Sequence, residues 1–307
     1  MHAVIDETRI KELVTQIPAL AGATNVTALG GLTNKNYRVD TPSNTFVLRV
    51  SNPVSAVLGI NRQHERINTE RAHNAGVGAA IVGSLPEENV LVLKWIEART
   101  LHAANLQSEP DILPRIAISM KTLHTGPRFE GKFYFPSLRA SYLATVQNEG
   151  YFIPDGYLQI EPLVRELEGV LASTAEEQVP CNNDLLAENF MDDGNKIWII
   201  DFEYSGQNEP SFEIGNLISE SFLTDAQTTV LCDAYWGQHI PSKIARALAW
   251  SMVARYGWVL WASIQEAISP IEFDFRSWGM TKWNSVVPEL RSNRFRNIIE
   301  TLRQDVR

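Results

Sequence analysis

The sequence is poor in cysteine and in positive charge. Its two cysteines, Cys181 and Cys232, form no Cys-x-x-Cys pair, so neither a zinc site nor dithiol redox chemistry is expected. Two free thiols fit a reducing compartment. Lys and Arg number 27 against 36 Asp and Glu, for a net charge of -9. Such a chain lacks the basic patches that bind nucleic acid or anionic membranes, whereas a cationic or neutral substrate is compatible with it.

Long apolar runs are also scarce, as are repeats and low-complexity tracts. The N-terminal stretch MHAVIDETRIKEL has no apolar core flanked by positive charge, so we expect no signal peptide. Residues 247–264 approach the length of a membrane span, but Arg255 and Gly257 interrupt them. This interruption favours a buried or amphipathic helix over a span. We therefore expect a cytoplasmic protein without integral membrane association.

The first 95 residues predict a small antiparallel sheet. Residues 8–16 read as a short helix, and short apolar runs separated by turn residues follow, among them NYRVD, TFVLRV, AAIVGSL and NVLVLKWI. Between them, INRQHERINTERAHNAGVG predicts one helix with Asn61 as its N-cap and Gly76 as its stop.

Beyond Trp95 the pattern becomes helical. ILPRIAISMKTLHTG and YLQIEPLVRELEGVLAS both predict helices, and a long helical remainder follows. The length of 307 residues fits about two domains of ~150 residues each. We predict an α+β chain with a small antiparallel-sheet lobe at residues 1–95 and a larger, mainly helical lobe at residues 96–307. This is the outline of a two-lobed kinase.

One stretch of the second lobe carries the chemistry: CNNDLLAENFMDDGNKIWIIDFEYSG, residues 181–206. It has the spacing Asp-x-x-x-x-Asn, then an apolar strand that we expect to end at a second Asp. In phosphoryl transfer, one carboxylate orients the attacking hydroxyl and takes its proton, while an amide oxygen and a second carboxylate hold magnesium. Asp184 is the candidate base, and Asn189 and Asp201 are the candidate metal ligands. The simpler alternative is a chance pattern in a turn-rich segment.

This segment resembles the choline and ethanolamine kinases, which belong to the aminoglycoside phosphotransferase superfamily with its protein-kinase-like fold. The family pattern is close to H-N-D-L-x-x-x-N, then I-D-F-E-Y, then N-x-x-x-E, and this chain has NNDLLAEN, IDFEYSG and NLISE. Earlier in the chain, GGLTNKNY is similar to the family's phosphate loop. FVLRV is similar to the strand, and INRQHE to the helix, that an ion pair joins in this family. LHTG is similar to the segment after the hinge between the lobes. The resemblance implies ATP and Mg²⁺ as cofactors.

The resemblance also implies roles for individual residues. The metal ligands that it implies are Asn189, Asp201 and Glu203. The nucleotide-binding residues that it implies are Gly30, Gly31, Thr33, Asn34, Arg49, Glu65, Leu93 and Trp95. Arg49 would bind phosphate and pair with Glu65. Simpler interpretations remain open: Gly30 and Gly31 also suit a hairpin turn, and Arg49 and Glu65 also suit solvated positions. His124 is expected to be structural.

Asn182 departs from the family, which usually has His there. The resemblance implies that this residue belongs to the catalytic loop and braces it, without transferring a proton. An active enzyme with a looser loop is the expectation, and Asn182→His would then preserve or raise kcat. A weak or inactive relative is the alternative.

The C-terminal segment YGWVLWASIQEAISPIEFDFRSWGMTKW is similar to the family's choline-binding aromatics. The substrate-binding residues that it implies are Glu220, Trp258, Trp261, Phe273 and Trp278. A trimethylammonium group cannot donate hydrogen bonds, so ring faces and carboxylates hold it. Glu203 could supply charge here instead of serving the metal, and packing of Trp258 and Trp261 into the core is the alternative.

The sequence thus predicts a kinase that transfers the γ-phosphate of ATP to the hydroxyl of choline. Ethanolamine, another amino alcohol or an aminoglycoside is the alternative acceptor. A nucleotide-binding pseudokinase is the alternative of a different class. The oligomeric state does not follow from the sequence.

Overall fold

A five-stranded antiparallel sheet forms the first part of the chain. The computed structural model describes residues 7–31, 33–51 and 57–304. The first six residues, part of the stretch assessed for a signal peptide, lie outside the described residues. The elements of this part are α1 (Glu7–Gln16), β1 (Asn25–Leu29), β2 (Asn34–Asp40), β3 (Thr45–Ser51), α2 (Arg62–Asn74), β4 (Ile81–Leu85) and β5 (Val90–Lys94). The strand order is β1-β2-β3-β5-β4.

The predicted hairpin is β2–β3. Its turn is closed by a hydrogen bond from the Thr41 amide to the Asn44 carbonyl oxygen at 2.8 Å. Phe46, Leu48 and Val50 of β3 are buried against α1. Arg49, which alternation places on the other face, is 6% exposed, so it is buried beneath the sheet rather than solvated.

Helix α2 begins where the sequence predicts. The Asn61 side chain accepts hydrogen bonds from the amides of Gln63 and His64, as an N-cap does. The helix ends at Asn74, and Gly76 follows with a φ of +85°, which suits glycine. Ala72 at the end of α2 and Val77 just after it pack into a core whose other buried members belong to the second part of the chain. Helix α2 therefore connects the two parts.

The second part is mainly helical. Its elements are β6 (Arg99–Thr100), α3 (Ala103–Ser108), α4 (Ile112–His124), α5 (Phe135–Glu149), α6 (Tyr157–Ser173), β7 (Val179–Cys181), β8 (Phe190–Asp192), β9 (Ile197–Ile199), β10 (Gly206–Asn208), α7 (Pro210–Glu220), α8 (Asp225–Trp236), α9 (Pro241–Ile268), α10 (Phe275–Leu290) and α11 (Asn293–Gln304). The α+β prediction is confirmed. The lobe boundary between residues 95 and 96 stays a prediction.

Helix α9 is the centre of the helical part. It contains the apolar stretch at residues 247–264, nearly all of which is buried. Arg255 pairs with Glu289 of α10, which accounts for a charge in the middle of this helix. A Cβ at Gly215 of α7 would lie 2.4 Å from the Ala247 carbonyl oxygen, so glycine permits the close approach of α7 to α9. Among the described helices, none combines the length and the hydropathy needed to cross a membrane.

Short strand pairs bring the catalytic segments together. Strand β7 pairs with β10, and β8 pairs with both β6 and β9. The loop from residue 182 to 189 leaves β7, and the loop from residue 200 to 205 joins β9 to β10. The two loops therefore lie side by side, although their sequences are separated by the β8–β9 hairpin.

Candidate active site

The loop after β7 carries Asp184 and is held from behind by Glu213 of α7. One carboxylate oxygen of Glu213 accepts hydrogen bonds from the amides of Asn182 at 2.6 Å and Asn183 at 3.1 Å. Asn183 has a φ of +69°, a left-handed conformation that Asn tolerates better than most residues. The loop is therefore fixed by backbone contacts immediately before the candidate base.

Asn182 links this loop to the one that carries Asp201. Its side-chain amide donates to the carbonyl oxygens of Ile200 at 3.1 Å and Asp201 at 2.8 Å. Its side-chain oxygen accepts from the Asp184 amide at 3.0 Å. Asn182 is completely buried. These contacts are the ones expected of a brace, here made by an amide instead of an imidazole.

Asp201 differs from the prediction in one respect. The apolar strand ends at Ile199, not at Asp201, and the Ile200 amide bonds the Asn189 carbonyl oxygen at 2.9 Å. Asp201 then has a φ of +61°. A non-glycine residue in this region is strained, and such strain clusters at functional sites. The turn, rather than the strand, sets the direction of the Asp201 carboxylate.

Asp184 lies in a strongly acidic environment. Removal from water, and then the charges of Asp201, Glu203 and Glu220, raise the pKa of its carboxyl well above the usual range, while Lys282 opposes them. Asp184 as a whole residue is still partly exposed. A carboxylate whose proton affinity is raised in this way is better suited to accept a proton from a hydroxyl group.

Arg49 is the hub of the contacts between the sheet and the catalytic loops. Its Nε lies 3.1 Å from Glu65 Oε1, so the pair implied by the resemblance is present. Its Nη2 lies 2.5 Å from Asp201 Oδ1 and 3.2 Å from Glu203 Oε2. Three carboxylates thus surround one guanidinium group, which binds oxygen pairs through its planar fork.

A second cation, Arg62, shares two of these carboxylates and was not anticipated. Its Nη1 lies 2.7 Å from Glu65 Oε2 and 3.1 Å from Glu203 Oε2, and its Nη2 donates to the Asn34 side-chain oxygen at 3.0 Å. The Asn34 amide in turn donates to Glu203 at 2.8 Å. The sequence analysis assigned Asn34 to the nucleotide and Glu203 to the metal. In the structure these two side chains bond each other and both contact Arg62, and Glu203 also contacts Arg49. Arg62 lies in the INRQHE motif, the one signal that could have revealed it.

The candidate phosphate loop lies between β1 and β2. Gly30 and Gly31 are exposed and Thr33 is partly exposed, while Leu32 lies outside the described residues. A Cβ at Gly31 would lie 2.7 Å from the Asn34 carbonyl oxygen, whereas one at Gly30 would meet open space. Gly31 therefore permits a tight turn that another residue would disturb.

The other two candidate nucleotide-binding residues lie at the end of β5 and just beyond it. Leu93 lines a cavity together with Arg49, Glu65 and Asp201, so it lies beside the buried ion pairs. The Trp95 amide donates to the Thr45 carbonyl oxygen, and the Arg38 guanidinium lies 4.8 Å from the centre of its ring. Trp95 thus lies just past the end of the interior strand β5, where the chain passes to the second part.

The predicted aromatic residues do not form one uniform group. Trp258 and Trp261 are 3% and 6% exposed. The Trp258 indole donates to Asn216 at 2.8 Å, and the Trp261 indole donates to the Tyr204 hydroxyl at 3.0 Å. Trp258 therefore contributes chiefly to the core. Tyr204, part of the IDFEYSG motif, contacts both tryptophans, although the sequence analysis assigned it no role.

Trp278 packs against Trp261, and Glu220 is linked to Trp278 through Lys282, whereas Phe273 lies further out. The rings of Trp278 and Trp261 are 5.2 Å apart. Phe273 is 41% exposed and packs on Phe275. Phe273 is thus one ring removed from Trp261, at the outer margin of the candidate site.

The family of this chain is shown by its match to a family model. The model described as choline/ethanolamine kinase matches residues 26–234, about two thirds of the chain. The chain belongs to the choline/ethanolamine kinase family. The family prediction is confirmed, and Arg49, Asp184 and Asp201 all lie in the matched region.

Individual relatives agree with this family. Protein LicA of Haemophilus influenzae is 28% identical over 218 residues, which are 69% of this chain but only 62% of LicA. A probable ethanolamine kinase of Arabidopsis thaliana is 26% identical over 294 residues, covering 83% of this chain and 76% of the relative.

Solved structures show the same fold. The structure of a choline/ethanolamine kinase family protein from Mesorhizobium loti is 27% identical, with a TM-score of 0.85 over 96% of this chain and 99% of that one. A spectinomycin phosphotransferase structure, at 11% identity, has a TM-score of 0.63 over 98% of this chain and 100% of that one. At that identity the likeness shows the fold alone. The protein-kinase-like fold is confirmed.

In this family member, His124 lies behind the catalytic loop. One ring nitrogen bonds Glu213 and the other bonds the Tyr235 hydroxyl, while Cys181 Sγ lies 3.8 Å away. His124 is 5% exposed. It therefore supports Glu213, which holds the loop, and contacts no surface where a substrate would lie. This agrees with the structural role expected from the sequence.

The oxygen atoms of Asn189 and Asp201 fit a magnesium ion. The Asn189 side-chain nitrogen donates to the Asp184 carbonyl oxygen at 2.7 Å, so the oxygen end of the amide is the end left for a cation. Asp201 uses one carboxylate oxygen for Arg49 and has a second one for a metal. Hard oxygen ligands of this kind suit Mg²⁺.

Proposed function

We propose that this kinase family member transfers the γ-phosphate of ATP to the hydroxyl of an amino alcohol, with choline as the first candidate. The single observation that carries the proposal is the arrangement of Asp184, Asn182 and Asp201. A proton acceptor and a metal ligand are held at fixed separation by one buried amide. This is the geometry that phosphoryl transfer requires, since its catalysis is mostly positioning and electrostatics.

In the proposed mechanism, Asp184 orients the acceptor hydroxyl and takes its proton as the phosphoryl group transfers. Asn189 and Asp201 would hold Mg²⁺, which supplies positive charge to the phosphate oxygens when bound. Arg49, which pairs with Glu65, would bind phosphate. The Gly30–Gly31 turn would lie over the phosphates. Leu93 and Trp95 would flank the nucleotide at the end of β5.

Ethanolamine is the second candidate acceptor. The matching family model is described by both activities, and one matching relative is named a probable ethanolamine kinase. In addition, the Glu220 carboxylate here holds a primary ammonium group, that of Lys282, by two hydrogen bonds. A carboxylate in this position also suits the primary ammonium of ethanolamine, whereas choline would rely on ring faces such as those of Trp261 and Trp278.

The experiment measures turnover of choline, ethanolamine and an aminoglycoside with ATP and Mg²⁺. We expect turnover of an amino alcohol in the parent protein and none above background in Asp184→Asn, with ATP binding retained. Glu188→Gln is the matched control, because it makes the same change in the same loop at an exposed residue whose partner is the exposed His102. Parent-like turnover in Asp184→Asn would refute the mechanism. Absence of turnover with all three acceptors would favour the pseudokinase alternative.

A further inference from the structure

The candidate acceptor site already contains a cation. The Lys282 Nζ lies 2.5 Å from both carboxylate oxygens of Glu220, and both side chains are 4% exposed. The same ammonium lies 3.8 Å from the centre of the Trp278 ring. Trp278 and Lys282 are four residues apart on α10, so one face of this helix supplies both the ring and the cation.

This ion pair lies within electrostatic reach of the candidate base. The charge of Glu220 raises the pKa of Asp184, and that of Lys282 lowers it. Burial lowers the pKa of the Lys282 ammonium, while Glu220 acts in the opposite direction. Contacts also lead from this pair to the catalytic loops: Trp278, over which the ammonium lies, packs against Trp261 at 5.2 Å, and the Trp261 indole donates to the hydroxyl of Tyr204, in the loop that carries Asp201.

The surroundings of Lys282 Nζ are those that recognise an ammonium ligand. A carboxylate on one side and an aromatic face on the other attract a desolvated cation. Two of the residues that the family resemblance assigns to the acceptor, Glu220 and Trp278, here contact a side chain of the same protein. A second cation cannot share this position, because like charges at such separation repel strongly in a site shielded from water.

We propose that Lys282 is a tethered occupant of the cation subsite formed by Glu220 and Trp278, and that an acceptor ammonium binds there only by displacing it. This inference rests on the proposed function. Lys282 then sets the affinity for the acceptor: it weakens the binding of every amine by the free energy needed to separate it from Glu220. Because the same ion pair must be separated whichever amine enters, choline and ethanolamine are weakened by the same factor.

The test measures how tightly amines bind, independently of any phosphoryl transfer. The dissociation constants of choline, ethanolamine and ATP are measured by titration calorimetry for the parent, Lys282→Met and Lys282→Gln. We expect both amines to bind at least about tenfold more tightly in the two variants, a change of about 1.4 kcal/mol, with ATP affinity unchanged. Lys282→Arg keeps the cation and should bind amines like the parent.

Lys243→Met is a matched control. Lys243 also pairs with a glutamate, Glu176, at 2.5 Å and also lies over a tryptophan, Trp236, at 4.7 Å. This pair lies at the start of α9, away from the acceptor site. Its removal should leave amine affinity unchanged.

The outcomes separate this inference from the proposed function. Unchanged or weaker amine binding in folded Lys282→Met and Lys282→Gln overturns the inference, even where the parent phosphorylates choline. Weaker binding would mean that Lys282 itself holds the acceptor. Tighter binding with no turnover in any protein supports the subsite and refutes the kinase activity. No binding of either amine to any of these proteins overturns both.

Discussion

Replacing Asn182 by His, the usual residue of the family, is the perturbation that best tests the brace. The resemblance alone predicts that Asn182→His preserves or raises kcat. The contacts predict the opposite. The Asn182 side chain makes three hydrogen bonds, two as a donor and one as an acceptor. A neutral imidazole has one donor and one acceptor, so either Ile200 or Asp201 loses its partner.

The magnitude follows from two contributions. A buried carbonyl group left without its donor costs roughly 1–3 kcal/mol. Asn182 is completely buried, and forcing a larger side chain into a packed site costs typically about 1–3 kcal/mol more. We expect Asn182→His to lose about 2–6 kcal/mol of stability. Displacing Asp184 by about 1 Å would lower kcat by about a hundredfold, with little change in KM for ATP.

The assay compares kcat, KM and Tm of the parent, Asn182→His and a matched control, Asn68→His. Asn68 is also completely buried, and its amide likewise donates to backbone oxygen atoms while its oxygen accepts from the Glu130 amide at 2.7 Å. It joins α2 to Glu130 and to Ser205, at the far end of the loop that carries Asp201, and does not bridge Asp184 and Asp201. We expect Asn68→His to lower Tm similarly with a much smaller fall in kcat. Parent-like kcat and Tm in Asn182→His would refute the reasoning.

Three further predictions follow from the site. Asp184→Asn should raise Tm relative to the parent at about pH 8, and by less at about pH 4. The pKa of Asp184 is raised in the folded state, so its ionisation lowers the stability of the parent only at pH values above the unfolded pKa. An equal Tm difference at both pH values would contradict this. Asp201→Ala should weaken Mg²⁺-dependent ATP binding, measured by calorimetry, because it removes a metal ligand; unchanged affinity would exclude that role. Trp261→Leu should raise KM for choline at least about tenfold, whereas Trp258→Leu should mainly lower Tm; equal effects on KM would reject the cation-binding role of Trp261.

The sequence predicts the elements and the family well because those signals are local. Asn61 caps α2 through amides two and three residues away, and the Asp184–Asn189 spacing lies within one loop. The position of Asp201 is less predictable. Its apolar strand ends two residues earlier, and a left-handed residue sets its direction, a conformation for which the sequence offers only the mild tolerance of Asp.

Contacts between distant charged residues could not be predicted. Arg62 and Glu203 are separated by 141 residues, and Glu220 and Lys282 by 62. A sequence shows that a residue is charged, but its partner depends on how the lobes and helices pack. For this reason Glu203 was assigned to the metal, although its carboxylate meets Arg49, Arg62 and Asn34. Lys282 lies in the C-terminal segment from which the sequence analysis selected only aromatic residues, so it was assigned no role.

The balance of charge in the cleft explains why these unforeseen cations matter. The charged side chains around the cleft include five carboxylates and three cations, so their formal charge is -2. The carboxylates are Asp184, Asp201, Glu203, Glu220 and Glu65, and the cations are Arg49, Arg62 and Lys282. The arginines offset part of the negative charge of the carboxylates near the candidate metal site, and Lys282 offsets that of Glu220. The remaining negative charge favours a divalent metal and a cationic acceptor, and these are the two ligands that the proposed reaction brings to the cleft.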